Sequence, residues 1–295
     1  MKTQMKVAAV QMRFRRTIPE NAALIERHIA EFASCGGDVI LFPETAVTGY
    51  NINFHKLDPK AVEAGLREIA SAAREYRCNV LVGSPTRARG RWFNSLLVFD
   101  RRGREVFRYH KIQLTPGDAK FFTPGNVLAF FRLDGIPCTA IICHERRYPE
   151  LVRLPVMMGA QILFHPNAGL DRLAVSKAKR GGKDGIVARA FENQVCYVFA
   201  NTVGPQGGGF WSAGDSKIVA ADTRVLALAN NRDEMRIEAT LDLAQAGRKY
   251  ARESLQQPAF LRSHWRVMLA ACREQIRCTA RGSEPSGCLG ETARR

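Results

Sequence analysis

The sequence predicts an α/β protein in which helices pack on sheets, and three observations lead to this prediction. The chain of 295 residues is 46% hydrophobic, which is enough to form a substantial core in one domain. Apolar runs with the length of strands alternate with amphipathic segments of helical period. Several of these runs end in a charged or polar residue, so neighbouring strands are expected to bring such residues to one sheet edge.

The first half of the chain predicts strands, two helices and a hairpin. The strand MKVAAVQM precedes a helix near 19–34, where apolar side chains recur at helical spacing. The strand DVILFPE, a helix at 59–76 and the strand CNVLVGS follow. A turn at 100–103 then separates WFNSLLVFD from EVFRYHK, a pattern typical of a β-hairpin.

The second half repeats this alternation. The predicted elements are the strand CTAIIC, a helix at 148–159, the strand AQILFHPNA, a helix through ARAFENQ, the strand CYVFANTVG and the paired strands SKIVA and RVLALA. We interpret 1–265 as one domain. Residues 266–295 form a C-terminal extension that is helical at first and then mobile, because its last part is rich in Arg, Gly, Ser, Pro and Glu.

The formal net charge of +16 raises the question of nucleic-acid binding, since Lys and Arg neutralise phosphates with little sequence specificity. The basic residues are spread along the chain and no nucleic-acid-binding motif is visible, so we consider a nucleic-acid partner unlikely. No apolar stretch approaches the roughly 20 residues that span a bilayer, and the N-terminal segment lacks the pattern of a signal peptide. A cytoplasmic protein with no membrane partner is therefore expected.

The eight cysteines favour reduced thiols over a disulfide framework in a chain of this length. No cluster of Cys and His has the spacing of zinc ligands, so no metal is predicted. Four cysteines beside apolar runs are interpreted as core residues: Cys35, Cys78, Cys138 and Cys196.

Three reactive side chains follow apolar runs directly. Glu44 ends DVILFPE, Lys111 follows EVFRYH, and Cys143 stands where CTAIIC meets HERRYPE. If these runs are strands, a carboxylate, an ammonium group and a thiol converge at one sheet edge. That combination suits covalent catalysis of a hydrolytic reaction.

Each of the three has an ordinary structural alternative. A free cysteine is more often a small core residue, but at a strand-to-helix junction the thiol of Cys143 can face a cleft, where the helix end and Lys111 would favour the thiolate. Glu44 suits a general base, or else caps a helix or forms a surface ion pair. Lys111 suits stabilisation of an oxyanion, or else is an exposed charge at a strand end.

An ordered set of motifs now resembles the nitrilase, or carbon–nitrogen hydrolase, superfamily over residues 7–248. FPETAVTGY is similar to its Glu segment, YHKIQL to its Lys segment and CHERRYPE to its Cys segment. Further matches in order are FTPGN, HPNA, ARAFENQ and GDSKIVA. The resemblance lies on the amidase side, and the paired arginines after Cys143 are similar to those of N-carbamoyl-D-amino-acid hydrolases.

The resemblance implies an α-β-β-α sandwich that pairs into a four-layer α-β-β-α-α-β-β-α dimer. It also implies that Cys143 attacks the carbon of a carbon–nitrogen bond, Glu44 shuttles protons and Lys111 stabilises the tetrahedral intermediate, with no cofactor. A homodimer or a higher homo-oligomer acting on a small molecule is expected. Many relatives have a second Glu shortly before the PG element, and Asp118 stands there, either in that role or as a residue of the TPGD turn.

Four residues are candidates for substrate binding. Arg146 suits a substrate carboxylate such as that of an N-carbamoyl amino acid, whereas Arg147 more readily pairs with Glu150 or another structural carboxylate. Asn167 follows the next strand and can bind polar substrate atoms or form a turn. His144 supplies a backbone N–H while its imidazole is expected to face solvent, and Tyr50 is placed at the entrance.

Two other functions stay open at this point. A nitrile hydrolase also has C-x-E at its nucleophile, as in Cys143 to Glu145, although RRYPE favours an amidase. A catalytically silent scaffold that binds an acidic partner would explain the positive charge, but the presence of Glu44, Lys111 and Cys143 argues against it.

Overall fold

The protein is described here by a computed structural model over residues 2–179 and 187–280. Its strands, in chain order, are β1 (Gln4–Gln11), β2 (Val39–Leu41), β3 (Asn79–Ala88), β4 (Arg91–Phe99), β5 (Glu105–His110), β6 (Phe131–Leu133), β7 (Ile136–Ala140), β8 (Ile162–Pro166), β9 (Asp171–Arg172), β10 (Cys196–Ala200), β11 (Val203–Gly207), β12 (Phe210–Ala213), β13 (Lys217–Val219), β14 (Val225–Leu228) and β15 (Met235–Asp242). The α-helices are α1 (Ile18–Ser34), α2 (Pro59–Glu75), α3 (Glu150–Met158), α4 (Leu173–Lys179), α5 (Ala188–Asn193), α6 (Lys249–Ser254) and α7 (Arg262–Ala280).

The strands form two six-stranded sheets and a small third sheet. The first sheet has the order β15-β1-β2-β3-β4-β5, and the second has the order β14-β13-β10-β8-β7-β6. Each contains three adjacent parallel strands, β1-β2-β3 in one and β7-β8-β10 in the other, and their remaining pairs are antiparallel. The third sheet, β11-β12-β9, is antiparallel and lies beyond the carboxyl end of β10.

The two large sheets pack face to face and helices cover their outer faces. Side chains of both sheets share one buried core, while α1 and α2 pack on the outer face of the first sheet. Helices α3, α5 and α6 pack on the outer face of the second sheet, and α7 contacts α3. This arrangement is the predicted α-β-β-α sandwich.

Strand β1 shows how the sequence pattern produces these layers. Met5, Val7 and Ala9 face the core between the sheets, whereas Ala8 and Val10 face α1 and α2. Because successive side chains of a strand point to opposite faces, a strand that is buried on both sides is apolar throughout.

The two long helices begin at the residues that the sequence signals. Thr17 caps α1 in a capping box with Glu20, and Asp58 caps α2, whose first residue is Pro59. Both helices agree with prediction within about a residue at each end. The predicted helix at 148–159 is shorter, Glu150–Met158, because Cys143–Arg147 form a separate 3₁₀ turn before it.

Some predicted details differ in the structure. The predicted hairpin is present as β4 and β5, but β3 also pairs with β4 and runs to Ala88, beyond the predicted strand. Cys78, Cys138 and Cys196 are buried as predicted, whereas Cys35 is exposed because it follows the last turn of α1.

The C-terminal region is described only in part. Helix α7 covers 262–280, so it spans the predicted domain boundary at residue 265, and the remainder of the predicted extension, 281–295, lies outside the described residues. In the described ranges, no helix combines the length and apolar character required to cross a bilayer.

The carboxyl ends of four strands that precede predicted site residues meet at one end of the sandwich. Glu44 follows β2 and Lys111 follows β5 in the first sheet, while Cys143 follows β7 and Asn167 follows β8 in the second. Strand β5 runs in the same direction as β3, because β4 is antiparallel to both. Its carboxyl end therefore lies at the same edge as those of the parallel strands. Topology therefore brings the predicted residues of both sheets to one edge.

Candidate active site

A cleft of about 370 Å³ opens at this edge, between the loops that follow the strands. Cys143 lies in its wall together with Tyr50, His144, Arg146 and Asn167. Glu44 and Lys111 lie behind this wall, and both are fully buried. The structure therefore brings together every residue predicted for the site.

A chain of three charged groups forms the inner part of the site. Lys111 Nζ lies 2.7 Å from Glu44 Oε1 and 2.8 Å from Asp118 Oδ2. Tyr50 donates its hydroxyl proton to Asp118 Oδ1 at 2.5 Å, and the N–H of Thr115 donates to Asp118 Oδ2 at 3.0 Å. An ammonium group held by two carboxylates in a buried site is fixed in position and remains charged.

Glu44 is positioned by both sheets. Asn94 Nδ2 of β4 donates to Glu44 Oε1 at 2.7 Å, and the N–H of Ala168, after β8, donates to Glu44 Oε2 at 3.1 Å. Gly83 of β3 allows the Glu44 loop to approach, since a Cβ on Gly83 would lie 2.4 Å from the carbonyl oxygen of Pro43. Any larger residue at position 83 would displace the carboxylate.

Cys143 occupies a strained turn. Its φ is +55°, in the left-handed region that residues other than glycine rarely adopt. His165 lies beneath this turn, with Nε2 2.8 Å from the carbonyl oxygen of Cys143 and Nδ1 2.5 Å from the hydroxyl of Tyr197. Burial lowers the pKa of His165 to about 3, so the neutral ring donates from Nε2 to the carbonyl and accepts the Tyr197 proton at Nδ1.

The surroundings of Cys143 disfavour the thiolate, whereas the sequence-based expectation was that the helix end and Lys111 favour it. Burial, and then the negative charge of Glu44, raise its pKa to about 12 and outweigh the attraction of Lys111. The turn that follows Cys143 is a 3₁₀ turn of five residues, which is too short to present a strong helix dipole. The thiol must therefore transfer its proton to a base before or during attack.

The pKa shifts of the charged groups near the thiol indicate which of them can act as this base. Burial raises the pKa of Glu44, and Asp118 adds to this effect, although Lys111 opposes it. Burial alone would lower the pKa of Lys111, but Glu44 and the other acidic groups around it raise that pKa well above its ordinary value. Despite burial, Lys111 holds the pKa of Asp118 below its usual range. Glu44 is thus the group whose raised pKa suits proton transfer.

Glu145 is a site residue whose role sequence reasoning missed. This buried carboxylate accepts from the N–H of Ile112 at 2.7 Å, of Gln113 at 3.0 Å and of Ile142 at 2.6 Å. The hydroxyl of Tyr109 also donates to it, at 2.9 Å. Glu145 therefore connects the residues just after Lys111 to the residue just before Cys143, and its place in C-x-E was the available signal.

Its ionisation reflects two opposed effects. Burial raises the pKa of Glu145 to about 7, while the backbone N–H groups of Ile142, Gln113 and Ile112 favour the charged form. A carboxylate with this many donors is a structural clamp, because losing it would leave several buried N–H groups without an acceptor.

Two matched motifs also gain a structural explanation. Gly125 of FTPGN donates its N–H to the carbonyl oxygen of Lys111 at 2.8 Å, and a Cβ there would lie 2.2 Å from the carbonyl oxygen of His110. Arg189 of ARAFENQ donates from Nε to the carbonyl oxygen of Arg146 at 2.7 Å and pairs with Glu192. The first motif fixes the lysine and the second supports the rim of the cleft.

The side chains of two rim residues, His144 and Arg147, are placed differently from the sequence-based predictions. The imidazole of His144 is half-buried rather than facing solvent, because it packs edge-on against Tyr148, and its buried Nδ1 has no partner among the described residues. In the same ranges Arg147 forms no ion pair with Glu150 or any other carboxylate; it is exposed and lines the cleft next to Arg146.

Arg146 and Asn167 are positioned as predicted for substrate contact. Arg146 is half-buried in the cleft wall and has no carboxylate within ion-pair distance in 2–179 and 187–280. Asn167 donates from Nδ2 to Asn201 Oδ1 at 2.8 Å, whereas its Oδ1 has no donor among the described residues. Among the described residues the cleft therefore offers the guanidinium groups of Arg146 and Arg147 without a carboxylate partner, and the free amide oxygen of Asn167.

The chemistry available here is acid–base and nucleophilic. The described part of the chain contains no group of three or more His, Cys, Asp or Glu side chains arranged to hold a metal ion. A protonated thiol, a carboxylate of raised pKa and a buried ammonium group are the three functions that addition to a carbonyl or nitrile carbon requires.

Comparisons with known proteins agree with this arrangement. The sequence profile of the family described as carbon-nitrogen hydrolase matches residues 6–250. An (R)-stereoselective amidase from Pseudomonas sp is 29% identical over 82% of this chain and 86% of its own length. A 2-oxoglutaramate amidase from Bacillus subtilis is 29% identical over 74% of this chain and 82% of its own length.

The fold also matches solved structures. A cysteine-to-alanine mutant of the amidase from Nesterenkonia AN1, from the nitrilase superfamily, superimposes with a TM-score of 0.75 at 22% identity. The match covers 90% of this chain and 98% of that protein. Together these findings define an enzyme class, the hydrolases of carbon–nitrogen bonds. The chain belongs to the carbon–nitrogen hydrolase family, as its ordered motifs predict.

Proposed function

We propose that this protein hydrolyses the amide or N-carbamoyl C–N bond of a small molecule that bears a carboxylate, through a covalent intermediate on Cys143. One observation carries the proposal. The thiol of Cys143 lines the cleft under the direct electrostatic influence of Glu44 and Lys111, and Lys111 is held between Glu44 and Asp118. Amidases among its relatives support an amide as the scissile group.

The first half of the reaction forms the intermediate. Glu44 accepts the thiol proton as the sulfur of Cys143 bonds to the carbonyl carbon. The carbonyl oxygen becomes an oxyanion, which Lys111 and the backbone N–H of His144 stabilise. The C–N bond then breaks, the nitrogen takes the proton from Glu44, and ammonia or an amine leaves.

The second half releases the product. Glu44, again ionised, takes a proton from water while the water oxygen attacks the carbonyl carbon. The C–S bond breaks and the sulfur regains a proton from Glu44, which restores the resting enzyme. An amide passes through a thioester and yields an acid, whereas an N-carbamoyl compound that loses ammonia passes through a thiocarbamate.

The substrate class follows from the rim. Arg146 carries an uncompensated charge beside the nucleophile, and a guanidinium group binds a carboxylate in a bidentate manner. Asn167 Oδ1 can accept from the NH₂ of a primary amide or a carbamoyl group, and its present lack of a donor supports this role. A cleft of about 370 Å³ suits a small molecule.

The test is release of ammonia from N-carbamoyl amino acids, carboxylate-bearing amides, neutral amides and nitriles, with the intact mass recorded during turnover. We expect faster turnover of the carboxylate-bearing amides or carbamoyl compounds and a covalent adduct on Cys143. Faster turnover of nitriles would instead make this protein a nitrile hydrolase. Absence of both turnover and an adduct across the panel would favour the silent scaffold.

We also propose that the chain forms a homodimer through its second helical layer. Large apolar side chains are exposed there: Phe191 is 65% exposed, Phe260 71% and Val267 72%. No large apolar side chain of α1 or α2 is exposed in this way. Burying such a patch would drive association of two sandwiches back to back.

Light scattering after size-exclusion chromatography tests this proposal. A dimer should dissociate in the double variant Phe260→Ser and Val267→Ser, while Val225→Ser, at an exposed apolar position on β14, should leave its mass unchanged. A wild-type protein that is monomeric at high concentration would contradict the proposal.

A further inference from the structure

A second and larger cavity, of about 780 Å³, lies at the opposite end of the sandwich from the catalytic cleft. It is formed where α2 ends, at the turn between β4 and β5 and beside the turn between β6 and β7. Its lining contains six arginines and two aspartates: Arg74, Arg77, Arg101, Arg102, Arg104, Arg132, Asp100 and Asp134. The cavity wall therefore has a formal excess of four positive charges, which the proposed hydrolysis does not use.

The elements around this cavity are held firmly in place. Gly103, in the turn between β4 and β5, packs so closely on α2 that a Cβ would lie 2.3 Å from the carbonyl oxygen of Ala70. Arg101 donates to Asp38 and to Asp134, and its Nη1 donates to the carbonyl oxygen of Arg77 at 2.8 Å. These contacts fix the hairpin turn, the end of α2 and the turn before β7 relative to one another.

The arginines fall into two groups. Arg101 is neutralised by Asp38 and Asp134, and Arg104 by Asp100 at 2.6 Å. The other four have no carboxylate within ion-pair distance in the described part of the chain: Arg74, Arg77, Arg102 and Arg132. The paired arginines build the wall. Arg132 Nη1 donates to the carbonyl oxygen of Gly135 at 2.8 Å, and the remaining N–H groups of the four exposed arginines are available to a ligand.

We propose that this cavity is a binding site for a compact polyphosphate, as an inorganic ion or as the polyphosphate part of a small metabolite. Several guanidinium groups in one recess match the several oxygens of such an anion, with which they form charge-assisted bidentate hydrogen bonds. A cavity of about 780 Å³ is within the usual size range of small-molecule sites.

The lining favours this ligand over a nucleic acid. In the described residues no aromatic side chain lines the cavity, so no ring is available to stack on a base. Its uncharged members are Asn79, Val106 and Leu133. A site that recognises phosphate by charge alone suits a ligand whose negative charge is concentrated, and a long strand would extend past the recess.

The site is separate from the catalytic cleft but connected to it by one strand. Arg104 immediately precedes β5 and Lys111 immediately follows it. A strand of this length separates its ends by about 20 Å, so a ligand in the cavity does not touch the substrate. Substitutions in the cavity are therefore expected to leave basal hydrolysis intact.

Isothermal titration calorimetry with sodium tripolyphosphate tests the proposal on the full chain, at about 50 mM and 150 mM salt. We expect one ion bound per chain, about tenfold more tightly than orthophosphate because more oxygens are engaged. The double variant Arg77→Gln and Arg102→Gln should weaken binding at least tenfold. The matched variant Arg16→Gln and Arg266→Gln loses the same charge at exposed positions elsewhere and should change affinity less than twofold.

Several results would overturn the proposal. Equal losses in the two double variants, or many weakly bound ions per chain, would show diffuse attraction to a basic protein. Tighter binding of a single-stranded oligonucleotide that the cavity variant also loses would assign the arginines to nucleic acid. The single variant Arg102→Glu, in an exposed turn, repeats the test if the double variant proves unstable.

Discussion

The two halves of the sandwich contribute different things to the same cleft. The first sheet supplies Glu44 and Lys111, which are fully buried and hydrogen-bonded. The second supplies Cys143, Arg146 and Asn167, which line the open part of the cleft and keep unpaired polar atoms. Asp118 Oδ2, on the loop after the first sheet's β5, completes the ion pair with Lys111.

This difference separates the reaction from the choice of substrate. Groups that move protons must be held in fixed geometry and shielded from water, which the first half achieves by burial and pairing. Groups that recognise a substrate must have free donors and acceptors until it binds, and these are found in the second half. Substitutions in the two halves should therefore change different kinetic constants.

The largest effect is expected at the nucleophile of the second half. Cys143→Ala should reduce kcat about 10⁴-fold or more, because no other thiol of the described residues lines the cleft. Steady-state ammonia release and intact mass measure the loss of both turnover and adduct. Cys35→Ala, at the exposed end of α1, is the matched control and should keep full activity. Residual turnover within tenfold of wild type would show that Cys143 is not the nucleophile.

The first half is tested next by Glu44→Gln. Because the thiol is protonated at rest, loss of the base should reduce kcat about 10³-fold and slow the alkylation of Cys143 by iodoacetamide. The exposed Glu68→Gln on α2 provides a control of the same chemistry. An unchanged alkylation rate would mean that the thiol loses its proton without Glu44.

Glu145→Gln tests the link between the halves. The amide can accept at only one of its two heavy atoms, so at least one backbone N–H that Glu145 satisfies loses its acceptor. We expect kcat to fall about 10- to 100-fold with little change in KM, and the free energy of unfolding to fall by about 3 kcal/mol. Urea unfolding and steady-state kinetics measure the two effects.

A matched control distinguishes a positioning role from general instability. Glu150→Gln, on the exposed first turn of α3, should cost about 0.5 kcal/mol and leave kcat unchanged. If the Glu145→Gln protein is less stable but fully active, Glu145 contributes only to stability and does not position the catalytic residues.

Arg146→Gln should affect substrate choice alone. Loss of the guanidinium group should raise KM for carboxylate-bearing substrates about tenfold and leave neutral amides unaffected, because only the former have an anion to bind. Arg67→Gln, on the far side of the first sheet, serves as control. Equal effects on both substrate types would contradict a role in carboxylate recognition.

The smallest effect concerns pH. The pKa of Glu44 is raised, so its protonation should reduce kcat/KM as the pH falls, beginning above the ordinary Glu value. Asp118 contributes to that rise, so Asp118→Asn should move the acid limb of the profile to lower pH as well as lower the rate. The profile of kcat/KM for both proteins measures the shift, and movement to higher pH would contradict this assignment.

Sequence reasoning predicted the long elements and the residues at strand ends well. Helices α1 and α2 follow their caps and periodicity, and Glu44, Lys111 and Cys143 converge because parallel strands share an end. The positive φ of Cys143 and the contacts of Glu145 could not be predicted, because each depends on partners distant in the chain. The raised pKa of the thiol could not be predicted for the same reason, since burial and Glu44 outweigh the attraction of Lys111.

The N–H of Ala168 offers a natural reporter of the catalytic carboxylate. It belongs to the second half of the sandwich yet donates to Glu44 Oε2, on the side away from Lys111. Its proton resonance should shift whenever Glu44 gains or loses a proton. A single backbone amide can thus be used to observe the titration of a group that is buried from solvent, without any added label on the carboxylate itself.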